Sequence, residues 1–164
     1  MTIREPERTV RLSVLDRLID QDPRTSGDPT VSFSESVRRY KAGVMRDLEW
    51  LLNTRRLYER VAPVFAEVRD SLYLYGLPDT TSMSADDPAV RRRLQQEIRS
   101  CIQHFEPRLT DVDVTLVPPP EDNKRLVRFV VEATLRMDPD EERVVFDTVM
   151  DSGSGAFRVA SAHA

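Results

Sequence analysis

Glu106-Pro107-Arg108 is the stretch whose residue types and spacing most invite chemistry. It sets an acid and a guanidinium two positions apart around a proline. A proline ends a helix and biases the residue before it toward extended backbone, where residues two apart share a face. Glu106 and Arg108 are therefore expected to project the same way, a fixed acid and a fixed cation on a rigid corner. Such a pair suits docking on a charged protein surface better than it suits catalysis. Internal pairing is the rival arrangement, with Arg108 satisfying Asp111 or Asp113 on its own surface, and residue types alone favour it. The two differ in outcome. An interface role predicts that Arg108→Ala leaves folding nearly intact and weakens partner binding; internal pairing predicts the reverse.

Other reactive types do not converge. His163 is next to last, and His104 stands beside Phe105 near a helix end, where a surface or packing role fits better than a base. No Cys/His cluster has zinc spacing. Cys101 falls on an apolar stripe and reads as a small core residue. Gly153 and Gly155 form a turn, not a phosphate-cradling loop. With 28 carboxylates in the chain, an acid pair such as Asp111 and Asp113 signals little. Pro118-Pro119-Pro120 reads as a stiff connection between strands, and Arg91-Arg92-Arg93 as a solvated helix face. No catalytic, metal-binding or cofactor-binding residue is nominated.

The elements around the corner follow from periodicity. Val90, Leu94, Ile98, Cys101, Ile102 and Phe105 recur at three- and four-residue intervals, the stripe of an amphipathic helix opened by Ser84 to Pro88. Downstream, Val112, Val114 and Leu116 alternate with Asp113 and Thr115, as in a strand. After a loop over 118–124, Val127 to Met137 predicts a long second strand, 138–142 an acidic turn, Val144, Phe146 and Thr148 a third strand, and Phe157 to Val159 an edge strand. Upstream, a short helix is expected from about Ser13 to Asp20, then a Pro/Gly-rich loop over 21–30. Ser32 with Glu35 reads as a capping box for a helix running to about Arg55 on Val37, Tyr40, Val44, Leu48 and Leu51. Arg46, Asp47 and Glu49 are placed mostly on its outer face. The stretch from Tyr58 to Tyr75 is ambiguous, with Pro63 inside it and Leu72 and Leu74 alternating with Tyr73 and Tyr75, and Gly76, Pro78 and Asp79 mark a turn.

Helices precede antiparallel strands, which predicts an α+β fold: N-terminal helices packed on a three- to four-stranded antiparallel β-meander. Residues 1–30 are expected to form a tail with a short helix and linker, and 31–164 a single domain. A net charge of −4 argues against a nucleic-acid partner. No run reaches the roughly 18 apolar residues of a membrane span, and Met1 to Val10 has no apolar segment of a secretory signal. One cysteine cannot make an internal disulfide. A soluble cytoplasmic protein is expected.

Taken together, the segments resemble a known family. The stretches are Leu15-Asp16-Arg17-Leu18, Arg38-Arg39-Tyr40-Lys41, Arg46 through Asn53-Thr54-Arg55, Tyr75-Gly76-Leu77-Pro78-Asp79, and Phe105-Glu106-Pro107-Arg108-Leu109. In this order, from about Leu12 to Val159, the chain resembles TssE, the small baseplate subunit of bacterial type VI secretion systems. That family is similar to the so-called lysozyme-like wedge subunit of contractile phage baseplates. Leu74 stands where an Asn is expected before Tyr-Gly-Leu-Pro. The resemblance implies a non-enzymatic assembly role in the baseplate wedge, contact with the other wedge subunits, and attachment of the first ring of the contractile sheath. It implies Glu106, Pro107 and Arg108 as partner-binding residues, no cofactor, no membrane insertion, and a cytoplasmic baseplate docked to the envelope-spanning complex. Two alternatives belong to other classes: a peptidoglycan-cleaving enzyme, as the family label suggests, and a soluble anti-adaptor-type regulator.

Overall fold

Ser32 opens the longest helix, α2 (Phe33–Asn53), and its hydroxyl accepts from the Glu35 amide at 3.3 Å, half of the expected capping box. Tyr40, Val44, Leu48, Leu51 and Leu52 form its buried stripe. The helix stops two residues before the expected Arg55, because Thr54 turns extended and caps it with its hydroxyl on the Trp50 carbonyl at 2.7 Å. The computed structural model describes residues 9–19, 31–56, 61–79, 87–117, 125–138 and 140–162. The expected loops at 21–30 and 118–124, the first turn at Ser84 to Asp86, the region of Tyr58, and His163 lie outside the described residues.

Within the described N-terminal segment, α1 (Val14–Leu18) is capped by Ser13. Just before it, Val10 is buried, and its amide donates to Ser36 Oγ at 3.0 Å. The unassigned stretch resolves into α3 (Ala66–Arg69) and a 3₁₀ turn, Leu72–Leu74. Helix α4 (Pro88–Phe105) starts on an Asp87 cap and buries Leu94, Ile98, Cys101 and Ile102.

Four strands follow: β1 (Leu109–Val117), β2 (Leu126–Arg136), β3 (Glu141–Asp151) and β4 (Phe157–Ser161). They form an antiparallel sheet in sequential order, the expected meander. β2 and β3 pair without a register break from Leu126↔Asp151 to Arg136↔Glu141. β1 carries a bulge between Thr110 and Asp113, where Asp111 takes a φ of 51°. One face of the sheet buries Val112, Val114, Phe129, Val131, Leu135, Phe146 and the wholly enclosed Thr148. Helices α2 and α4 cover that face, α4 along β1 and α2 along β4. The other face is dressed with cross-strand pairs such as Arg128 with Asp147 and Arg143 with Glu132.

Two motifs far apart in sequence meet at the α2 exit. Leu77 donates to the Thr54 carbonyl and Arg56 to the Leu77 carbonyl, both at 2.9 Å, forming a parallel bridge. Gly76 makes the approach possible. Its φ is +96°, and a Cβ there would lie 2.2 Å from the Thr54 oxygen. Arg55 then reaches the Ser154 carbonyl, and Arg56 pairs with Glu97 of α4 at 2.7 Å.

The sheet edges are partly closed by helix side chains. Asn53 binds both backbone groups of Phe157, accepting from its amide and donating to its carbonyl at 2.9 Å each. Glu49 accepts from the Val159 amide at 3.1 Å. β4 is thus the expected edge strand, but its outer side is paired with α2. On β1 the Gln95 side-chain amide holds the Val114 carbonyl.

Candidate partner-binding corner

Pro107 ends α4, and the chain reverses into β1 through a turn rather than through extended backbone. The Glu106 amide still donates to Ile102, and the Leu109 amide donates back to the Glu106 carbonyl at 3.0 Å. Glu106 has φ −120° and ψ 78°, short of a strand conformation. The turn brings Glu106 and Arg108 to the same side, as expected. What positions them is the reversal, and not the two-residue repeat of a strand.

Their side chains bind each other. Arg108 Nε donates to Glu106 Oε1 at 2.6 Å, and the second guanidinium arm meets Oε2. Glu106 is only 4 % exposed, so its carboxylate has left water and depends on this fork. Arg108 also donates to Asp47 Oδ2 at 2.7 Å and lies over the Tyr40 ring. Burial alone would lower the basicity of Arg108, but Glu106 and Asp47 overcome it and hold the guanidinium well above its ordinary pKa.

The sequence-derived rival is not the pairing that forms. Asp113 faces Arg99 at 3.7 Å, and Asp111 stands exposed in the bulge. The internal partners of Arg108 are Glu106 and Asp47.

Asp47 extends the chain of charges. Its Oδ1 accepts from Arg46 at 2.8 and 3.0 Å, and Arg46 reaches Asp16 of α1 at 2.7 Å. Ser13 donates to the other Asp16 oxygen at 2.6 Å. The order Asp16, Arg46, Asp47, Arg108, Glu106 alternates in sign from the N-terminal helix to the corner. Pro107 is exposed, and Pro107 and Arg108 together wall two grooves. One, of about 510 Å³, is bounded by Val10, Arg11, Tyr40 and Arg136. The other, of about 380 Å³, is bounded by Leu15, Leu51, Tyr75 and Phe105.

Asp16, Arg46 and Asp47 were not nominated as site residues from sequence. Asp47 lies next to Leu48 and three after Val44, at the border of the buried stripe, which is the signal that was available. Cys101 is in the core as expected: its thiol donates weakly to the Gly76 carbonyl, and burial pushes its pKa up to about 12. His104 packs edge-on to Phe105 at the surface. Among the described residues no group of three or more His, Cys, Asp or Glu side chains could hold a metal ion. Among them, too, no helix is long and apolar enough to cross a membrane.

A family model described as baseplate wedge protein gp25 matches residues 38–140. The match takes in Asp47 and the whole Glu106-Pro107-Arg108 corner, and it leaves out α1. No curated protein matches the chain.

Proposed function

The chain belongs to the baseplate wedge protein gp25 family, and from that premise we propose that it is the wedge subunit of a type VI secretion baseplate that joins its neighbours to the first ring of the contractile sheath. A structural baseplate role is what the family carries. The sheath contact, the secretion system and a cytoplasmic baseplate docked to the envelope-spanning complex are the proposed part.

The observation that carries the reading is the corner. Glu106 is sealed under Arg108, Arg108 is held from behind by Asp47, and Pro107 stands outward between two grooves. A surface fixed this way keeps its shape when a partner docks, and a preorganised corner loses little freedom on binding. Glycoside cleavage needs two carboxyl groups facing each other across the scissile bond. The Glu106 carboxylate is instead forked by the Arg108 guanidinium, which favours assembly. Both edge strands carry helix side chains, Asn53 and Glu49 on β4 and Gln95 on β1; β1 carries fewer of them, and the proposal puts strand addition by a sheath segment there.

Co-purification tests the reading. Tagged protein expressed with wedge and sheath subunits should recover both. Recovery of a protease adaptor in their place would support the anti-adaptor alternative and contradict the assembly role.

A further inference from the structure

Helix α1 turns its polar side to the body and its apolar side to solvent. Asp16 faces α2, where Arg46 binds it, and Gly43 leaves room for it; a Cβ at Gly43 would lie 2.8 Å from Asp16 Oδ2. Val14, Leu15, Leu18 and Ile19 are 64 %, 44 %, 77 % and 46 % exposed, and no residue of the helix is buried. A helix this short has little stability of its own in water. It is held here by an ion pair and a cap, with its apolar side chains left uncovered.

The exposed charges within residues 11–19 have one sign. Arg11 and Arg17 are exposed and make no ion pair among the described residues, whereas Asp16 is consumed by Arg46. In a chain of net charge −4 this face is apolar and cationic. We propose that the outward face of residues 11–19 is a docking surface for an acidic amphipathic helix of a protein partner. Its apolar stripe covers Val14, Leu15 and Leu18, and its flanking carboxylates meet Arg11 and Arg17. An anionic bilayer is the other surface with that chemistry. The net negative charge of the chain opposes it, and a single helical turn offers little apolar depth to a membrane. The surface adjoins the Pro107 ridge, whose two grooves are bounded by Arg11 and by Leu15, and it lies outside the matched family region.

Trp50 gives a built-in reporter. It is the only tryptophan, it is half exposed, and the Arg46 guanidinium that binds Asp16 stacks 4.9 Å from its ring centroid. Two synthetic helical peptides of about 18 residues, one with glutamates and one with lysines flanking the same leucine stripe, are titrated against the full chain by Trp50 emission. The glutamate peptide should bind about tenfold tighter than the lysine peptide, and tighter than phosphatidylglycerol vesicles. Leu18→Asp should weaken it about tenfold, and Arg17→Glu should reverse the preference, both at unchanged melting temperature because both positions are exposed. No binding, equal affinity for the two peptides, a preference untouched by Arg17→Glu, or stronger binding to the vesicles would overturn the proposal.

Discussion

Arg108 and Asp47 lie 61 positions apart in sequence, and the guanidinium of one donates to the carboxylate of the other at 2.7 Å. The contact ties the α4–β1 corner to the middle of α2. Since the second Asp47 oxygen binds Arg46, the same carboxylate also ties the corner to α1. One side chain on the border of the α2 stripe thus sets the position of three segments.

The first consequence is energetic. Arg108→Ala strips a nearly enclosed carboxylate of its partner, which typically costs 3–5 kcal/mol in a buried pair; with Arg108 one-fifth exposed, about 3 kcal/mol is expected. Urea unfolding measures it. Adding Glu106→Gln to Arg108→Ala should recover part of the loss, because a neutral amide is cheaper to leave unpaired. A loss below about 1 kcal/mol would mean that the fork does not support the fold.

The second concerns acid. Burial opposes ionisation of Asp16, but the Ser13 hydroxyl and the Arg46 guanidinium outweigh it and hold its pKa below the ordinary 3.8. The folded-state pKa is depressed, so the stabilisation is complete above the unfolded value and disappears as pH falls through the lower folded value. Trp50 emission should therefore change in a step below pH 3.8 as Asp16 releases Arg46. Asp16→Asn should abolish that step. Identical acid titrations of the two proteins would contradict the link.

The third concerns Gly76. Alanine there must adopt a left-handed φ and push against the Thr54 carbonyl. Backbone strain of this kind costs on the order of 1–3 kcal/mol before the clash is counted. Thermal unfolding should show a large fall in melting temperature, and a neutral Gly76→Ala would refute the close approach.

Much of this architecture was legible in the sequence. The stripes of α2 and α4 and the alternation of β1 to β3 come from apolar periodicity, which burial enforces directly. The corner was legible as a break, since Pro107 must end a helix. Its internal partner was not. Asp47 looks like any outer-face acid until the fold brings Arg108 beside it, and nearby Asp111 and Asp113 compete for attention in a linear reading. Asn53 and Glu49 carry the same lesson: their bonds to the β4 backbone join residues more than a hundred positions apart, beyond the reach of any local period. Arg55 and Arg56, just past the end of α2, likewise reach distant partners, the Ser154 carbonyl and Glu97.

The fourth prediction is enzymatic. Purified protein should leave peptidoglycan intact in a zymogram, because Glu106, the most enclosed carboxylate among the described residues, is neutralised by Arg108. A clear lysis band, lost on changing one carboxylate, would overturn it.

Sheath seeding on reconstituted wedges tests the central claim most directly. Wedges loaded with wild-type protein or Arg108→Ala, held well below the melting temperature of the variant, are mixed with sheath subunits and imaged by electron microscopy. Arg108→Ala leaves Glu106 and Asp47 without their shared partner and loosens the corner that would meet the sheath, and a ring repeats that defect at every wedge. The expected result is that the variant enters the wedge and seeds few or no sheaths. Sheaths as numerous and as long as those on wild-type wedges would contradict the role of the corner.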